Sequence, residues 1–148
     1  MTHLTRRMAT VALAVSALGG FGLATAGTAA AEQVSYDGYL DPNEMGFYYN
    51  SNQAGCVFDL YDKDQNFNND NFRAFPSSAS CNGKGQVVGN NTASYKNRTD
   101  QPWTVHTGPN SGGTYHGEIP AFYVGNATSN FKNNIESTCF IVEYCAPY

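Results

Sequence analysis

The chain has 148 residues, with twelve acidic side chains against eight basic ones and a formal charge of −4, a balance that argues against nucleic acid and anionic membrane surfaces as partners. Aromatic residues make up 14 % of it, which is enough bulky apolar material for a packed core and excludes a disordered chain.

Residues 1–31 read as a leader. Arg6 and Arg7 give a basic start, an Ala-rich apolar stretch follows, and small residues of the A-x-A type precede Glu32. That order is the signature of a secretory signal peptide cut after Ala31 or Ala30. The apolar stretch is short and broken by Thr25 and Thr28, whereas a spanning helix needs about 20 predominantly apolar residues. The expected mature protein is residues 32–148, a secreted single domain in which six basic residues face twelve acidic ones.

Beyond residue 32 no window holds a 3.6-residue apolar period. Short runs, GFYY, CVFDLY, GQVV, WTVH, AFYV and CFIVEY, sit between clusters of Gly, Asn, Ser and Pro. This pattern predicts an all-β domain with many tight turns. Sixteen Asn residues agree with it, because Asn tolerates the left-handed backbone and closes Asx turns.

The chain also repeats itself. FYYNSNQAG (47–55) aligns with VHTGPNSGG (105–113) at an offset of 58, and GNNTASYKN (89–97) aligns with KNNIESTCF (132–140) at an offset of 43. Gly55 and Gly113 fall where each half turns back on itself, and a positive φ is expected there. The difference between the offsets requires an insertion of about fifteen residues in the first half. The acidic stretch DKDQNFNND (62–70) is read as lying inside that insertion, as a loop elaboration. It is not an EF-hand: Asp62, Asp64 and Asn66 occupy ligand positions, but Phe67 stands where the loop needs Gly and Arg73 where it needs Glu. Two repeats, each too small to bury a sheet alone, predict two Greek keys of about four strands packed face to face. The first is expected over 43–97 and the second over 102–140, followed by a tail at 141–148.

Four cysteines in an exported chain read as two disulfides. Of the three possible connectivities, Cys56–Cys81 with Cys139–Cys145 is the expected one, since the first bridge would pin the inserted segment. His106, His116 and Glu118 match no recurrent zinc spacing. There is no G-x-S-x-G elbow and no paired-carboxylate motif, so an enzyme is not expected. The sequons at Asn90, Asn97 and Asn126 follow from the Asn-rich turns.

NEMGFYYNSNQAG, GKGQVVGNNTASYKNRT, VHTGPNSGG and SNFKNNIEST resemble the secreted proteins grouped as family 36 of the peptidase inhibitors, the Streptomyces metalloproteinase inhibitor family. The resemblance spans roughly residues 43–140. It implies a βγ-crystallin-like sandwich of two Greek keys, and a monomeric inhibitor that docks a loop into the cleft of a secreted metalloprotease. His106 and Thr107 stand where the family has an aromatic pair. An apolar residue directly after a cysteine, in a loop closed by a disulfide, implies an inhibitory loop at Cys139, Phe140 and Cys145. CFIV also alternates as a final strand would, with Phe140 in the core.

βγ-Crystallin domains bind calcium through [N/D]-[N/D]-x-x-[S/T]-S, and NNTASY (90–95) and NNIEST (133–138) match its first five positions. This implies Asn91, Ser94, Asn134 and Ser137 as calcium ligands, with no cofactor strictly required. Glu136 is the only carboxylate in either copy, so such a site would be weak. The alternative for Asn-Asn and Ser is to satisfy the backbone of a tight arch. Two functions of other classes remain beside inhibition: a calcium-binding structural module, or a small secreted toxin of similar fold.

Overall fold

The computed structural model describes residues 34–140. The expected leader and Cys145 lie outside the described residues. Seven strands form two antiparallel sheets: β1 (Met45–Tyr48), β2 (Val57–Leu60), β3 (Ser94–Asn97), β4 (Trp103–His106), β5 (His116–Ile119), β6 (Val124–Asn126) and β7 (Ser137–Phe140). The first sheet has the order β2-β1-β3-β6 and the second β5-β4-β7. The fold is all-β, and among the described residues the single regular helical element is a 3-10 turn over Phe67–Asn69.

The two sequence offsets are the offsets of the strands. Met45–Tyr48 and Trp103–His106 are equivalent at 58, and Ser94–Asn97 and Ser137–Phe140 at 43. Within each half the equivalent pairings recur: Met45 opposes Leu60 and Asn97, while Trp103 opposes Ile119 and Phe140. Gly55 and Gly113 both have positive φ, at 79° and 93°. A Cβ on Gly113 would lie 2.4 Å from the Thr107 carbonyl carbon, so the tight fold-over needs glycine for space as well as for backbone freedom.

The halves exchange one strand each. β6 belongs by sequence to the second half but pairs with β3. In return the acidic segment crosses to β7, where the Asp64 N–H donates to the Thr138 carbonyl at 3.0 Å and the Thr138 N–H donates back at 2.8 Å. This corrects the expectation for 62–70: its first part is the counterpart of β6, reduced to one bridge. The additional residues follow the 3-10 turn. From Phe67 the first half takes a long excursion before reaching Asn90, whereas Ala127 reaches the equivalent Asn133 within one turn. The excursion lies along the outer edge of β2, where the Arg73 N–H donates to the Val57 carbonyl at 3.1 Å. It is pinned by the expected Cys56–Cys81 disulfide. A covered edge strand is a protected one.

The core is a cluster of aromatics between the sheets. Phe67 meets Phe47 at 5.0 Å and Phe58 at 5.3 Å, both edge to face, a favoured geometry for ring pairs. Trp103, Val105, Ile119 and Ile135 supply the second half of the same cluster. The excursion adds Phe72, fully buried against Tyr49. On the other face of the first sheet, Gly46 leaves room for the Leu40 side chain, which a Cβ would meet at 2.9 Å. A strap over residues 36–44 lies there, fixed by Asp59, whose carboxylate accepts from the Asp37 N–H at 3.1 Å and the Gly38 N–H at 2.8 Å.

Candidate functional site

Both Asn-Asn arches are built alike. Asn90 and Asn133 take left-handed backbones, with φ of 61° and 56°, as Asn does more readily than other residues bearing a Cβ. Each arch feeds a strand whose first serine turns inward. Ser94 donates its hydroxyl to the Asn50 carbonyl at 2.6 Å and accepts from the Gln53 N–H at 2.9 Å. Ser137 donates to the Gly108 carbonyl at 2.7 Å and accepts from the Ser111 N–H at 3.2 Å. The two serines are buried, and each locks the fold-over of its own half. Asn91 donates to the Val87 and Gly89 carbonyls, and Asn134 to the Asn130 carbonyl. Each serine→alanine variant should therefore cost about 1–3 kcal/mol by leaving an N–H and a carbonyl unpaired, with the larger loss at Ser137, whose partners are buried. Urea unfolding should give the same loss with calcium or with chelator; a loss only in calcium would make the hydroxyls ligands instead of locks.

Glu136 does what neither serine can. Its carboxylate accepts from the Asn90 amide and, at 3.3 Å, from the Asn68 amide, so three oxygen-bearing side chains from three chain segments meet at the first arch. His106 is buried in β4, with Nε2 3.1 Å from the Thr104 hydroxyl. Burial and the neighbouring His116 both lower its pKa. Among the described residues no group of three or more His, Cys, Asp or Glu is placed to hold a metal.

Cys139 and Phe140 lie in β7, not in an open loop. Cys139 is buried opposite Thr104, and the Phe140 ring packs against Trp103 in a tilted pair with centroids 4.0 Å apart. The peptide bond between them is part of the ladder with β4. Cys145 falls outside the described residues.

A different apolar element is presented to solvent. The run AFYV, read from sequence as a strand, is a turn, with only Val124 entering β6. Phe122 is 68 % exposed, and Tyr123 and Val124 beside it are also exposed. The turn is rigidly held. The Phe122 N–H donates to the Thr99 carbonyl at 3.2 Å, the Tyr123 N–H to the Pro120 carbonyl at 3.2 Å, and the Asn97 amide to the Pro120 carbonyl at 2.9 Å. Phe122 has φ of 56°, an uncommon conformation for a bulky side chain and one that costs about 1–2 kcal/mol. Pro120 was the signal in the sequence that the run opens as a turn.

Comparison with solved structures returns one described as "Evolution of the eye lens beta-gamma-crystallin domain fold", with a TM-score of 0.51 at 12 % identity, over 69 % of this chain and 89 % of that chain. The fold is that of a βγ-crystallin domain. No protein-family model and no curated protein matches the chain.

On this βγ-crystallin frame the strap at 36–44 buries two carboxyls. Glu44 is fully buried, with Oε2 accepting from the Asp41 N–H at 2.7 Å and Oε1 bonded to nothing. Burial first, then the charges of Asp59, Asp41 and Asp37, raise its pKa from 4.5 to about 7 against the opposing Asp41 bond. Burial likewise raises Asp59 to about 6, against the hydrogen bonds from Gly38 and Asp37. A group with a raised folded pKa binds more protons folded than unfolded. Its contribution is therefore complete below the unfolded value and lost as pH rises through the folded one. Stability should fall between about pH 4 and pH 7, and Glu44→Gln should flatten that slope. Urea midpoints across this range check it; a midpoint rising with pH would contradict it.

Proposed function

We propose that this protein acts outside the cell as a rigid binding module of the βγ-crystallin fold. Its target is an extracellular metalloprotease, which it inhibits by docking the Pro120–Tyr123 turn into the substrate cleft. The observation that carries the reading is Phe122, a large apolar side chain held out on a strained, hydrogen-bonded turn. Backbone strain at an exposed aromatic is tolerated where the surrounding structure holds it for a purpose. Thermolysin-like clefts accept a bulky apolar side chain, and a turn already fixed loses little conformational entropy on docking. The motif resemblance supplies the class of target. The leader-like segment and the Cys56–Cys81 disulfide support action in an oxidising compartment.

Residues 32–148 should be titrated against a panel of secreted metalloproteases. The parent should inhibit at least one of them stoichiometrically. Phe122→Gly removes the left-handed penalty and the anchor together, so it should unfold at or above the parent temperature while losing about 2 kcal/mol or more of binding. A panel left uninhibited at micromolar protein overturns the inhibitor, and full inhibition by Phe122→Gly overturns the docking turn.

The second reading is a calcium-stabilised structural module, favoured by the meeting of Glu136, Asn90 and Asn68. An amide turned over would offer its oxygen there, and the single carboxylate would make a weak site. Calcium binding only the folded state raises the melting temperature. Chelator-treated protein whose melting curve is unmoved by millimolar calcium contradicts this reading.

A further inference from the structure

The excursion that the second half lacks does more than cover β2. Together with Asp37 of the strap it borders an open groove of about 600 Å³ with Phe75 and Pro76 on its apolar side and Arg73 and Lys84 among its polar groups. That volume falls in the range of small-molecule pockets, about 300–1,000 Å³, which pair apolar walls with a few placed polar groups.

The groove is built before any ligand arrives. The Lys84 ammonium ties the rim by donating to the Ser77 carbonyl at 2.6 Å and the Ala79 carbonyl at 2.8 Å. The Gly85 N–H donates to the Phe72 carbonyl at 2.9 Å, and the Phe72 N–H to Gln86 at 2.9 Å. The Cys56–Cys81 bridge anchors the far limb. Beneath the wall, a Cβ on Gly38 would lie 2.7 Å from the Arg73 carbonyl carbon, so strap and excursion are in close contact.

Two features select the ligand. Residues 32–148 contain six basic side chains, and two of them, Arg73 and Lys84, line this one groove of an acidic domain. Against Asp37 they leave one net positive charge, which suits a monoanion. Phe75, 55 % exposed, forms a tilted ring pair with the equally exposed Tyr39 at 5.2 Å. An exposed aromatic pair beside a cation is a stacking surface for a further ring.

We infer that the excursion forms a binding pocket for a small aromatic monocarboxylate, its ring against Phe75 and Pro76 and its carboxylate on Arg73. Arg offers a planar fork of donors that matches a carboxylate. Asp37 adds an acceptor for a ligand hydroxyl and disfavours doubly charged anions.

The test uses disulfide-intact protein and three probes followed by amide NMR: 4-hydroxyphenylacetate, its neutral analogue 4-hydroxyphenylethanol, and inorganic phosphate. The carboxylate should shift residues 71–77 and 84–85 in a saturable way at millimolar concentration, and more tightly than either other probe. Arg73→Gln should weaken the carboxylate about tenfold and leave the alcohol unchanged, the loss of a charge-assisted pair. Its amide spectrum away from the excursion reports whether it stays folded. Shifts that are absent or scattered, phosphate binding as tightly, or an Arg73→Gln variant binding the carboxylate unchanged would each overturn the pocket.

Discussion

Trp103→Ala is expected to lower stability by about 3–5 kcal/mol, the largest single effect in the molecule. Trp103 is fully buried in the central strand of the second sheet, between Ile119 and Phe140. Its indole N–H donates to the Thr99 hydroxyl at 3.1 Å, and its ring lies on Phe140. Alanine removes the ring that packs against the last described residue of β7 and leaves a cavity between the sheets. A domain of this size holds about 5–15 kcal/mol in all, so the variant should stand at the margin of folding. Trp103→Phe keeps most of the volume and loses the N–H bond, and should cost about 1–2 kcal/mol. Urea unfolding by near-UV circular dichroism measures both. A loss below about 2 kcal/mol for alanine would mean that the ring is not a core element.

Removing the Cys56–Cys81 bridge, by Cys56→Ala with Cys81→Ala, should cost about 3–4 kcal/mol on the chain-entropy account. The bridge closes a sequence separation of 25. Its absence should be felt unevenly. Cys56 directly precedes the strand that the excursion covers, and the Cys56 N–H donates to the Asn82 carbonyl at 2.9 Å. With the covalent pin gone, amide exchange should quicken first over residues 70–86, before β1 and β3. Uniform acceleration throughout the domain would show that the excursion and the sheets open together. Peptide mapping without reduction checks the pairing directly.

The duplication was legible because each half must solve the same problem with the same few residues. A positive φ calls for Gly55 and Gly113, an arch calls for Asn90 and Asn133, and a lock calls for Ser94 and Ser137. The exchange of strands was not legible. The bridge between Asp64 and Thr138 uses backbone groups alone and leaves no pattern in the side chains. DKDQNF therefore reads as a solvated loop although it completes a sheet. CFIV was ambiguous for another reason. A strand and a constrained loop both tolerate that run, and the choice is made by Trp103, distant in sequence, offering its ring to Phe140. Glu44 and Asp59 were missed because an acidic residue gives no sign of burial until the strap that covers it is placed.

The strand exchange has a consequence for how the chain is made. Synthesis delivers about 5–20 residues per second, and β1, β2 and β3 exist well before β6 can join them. Until then the first sheet ends at β3, one strand short, and the Asp64 segment has no β7 to meet. Neither half can complete its sheet alone, so the pairings that close the domain span long stretches of chain, and such topologies fold slowly. For that interval the newborn chain carries an open β edge, and any chaperone that accompanies it would have β3 to shield.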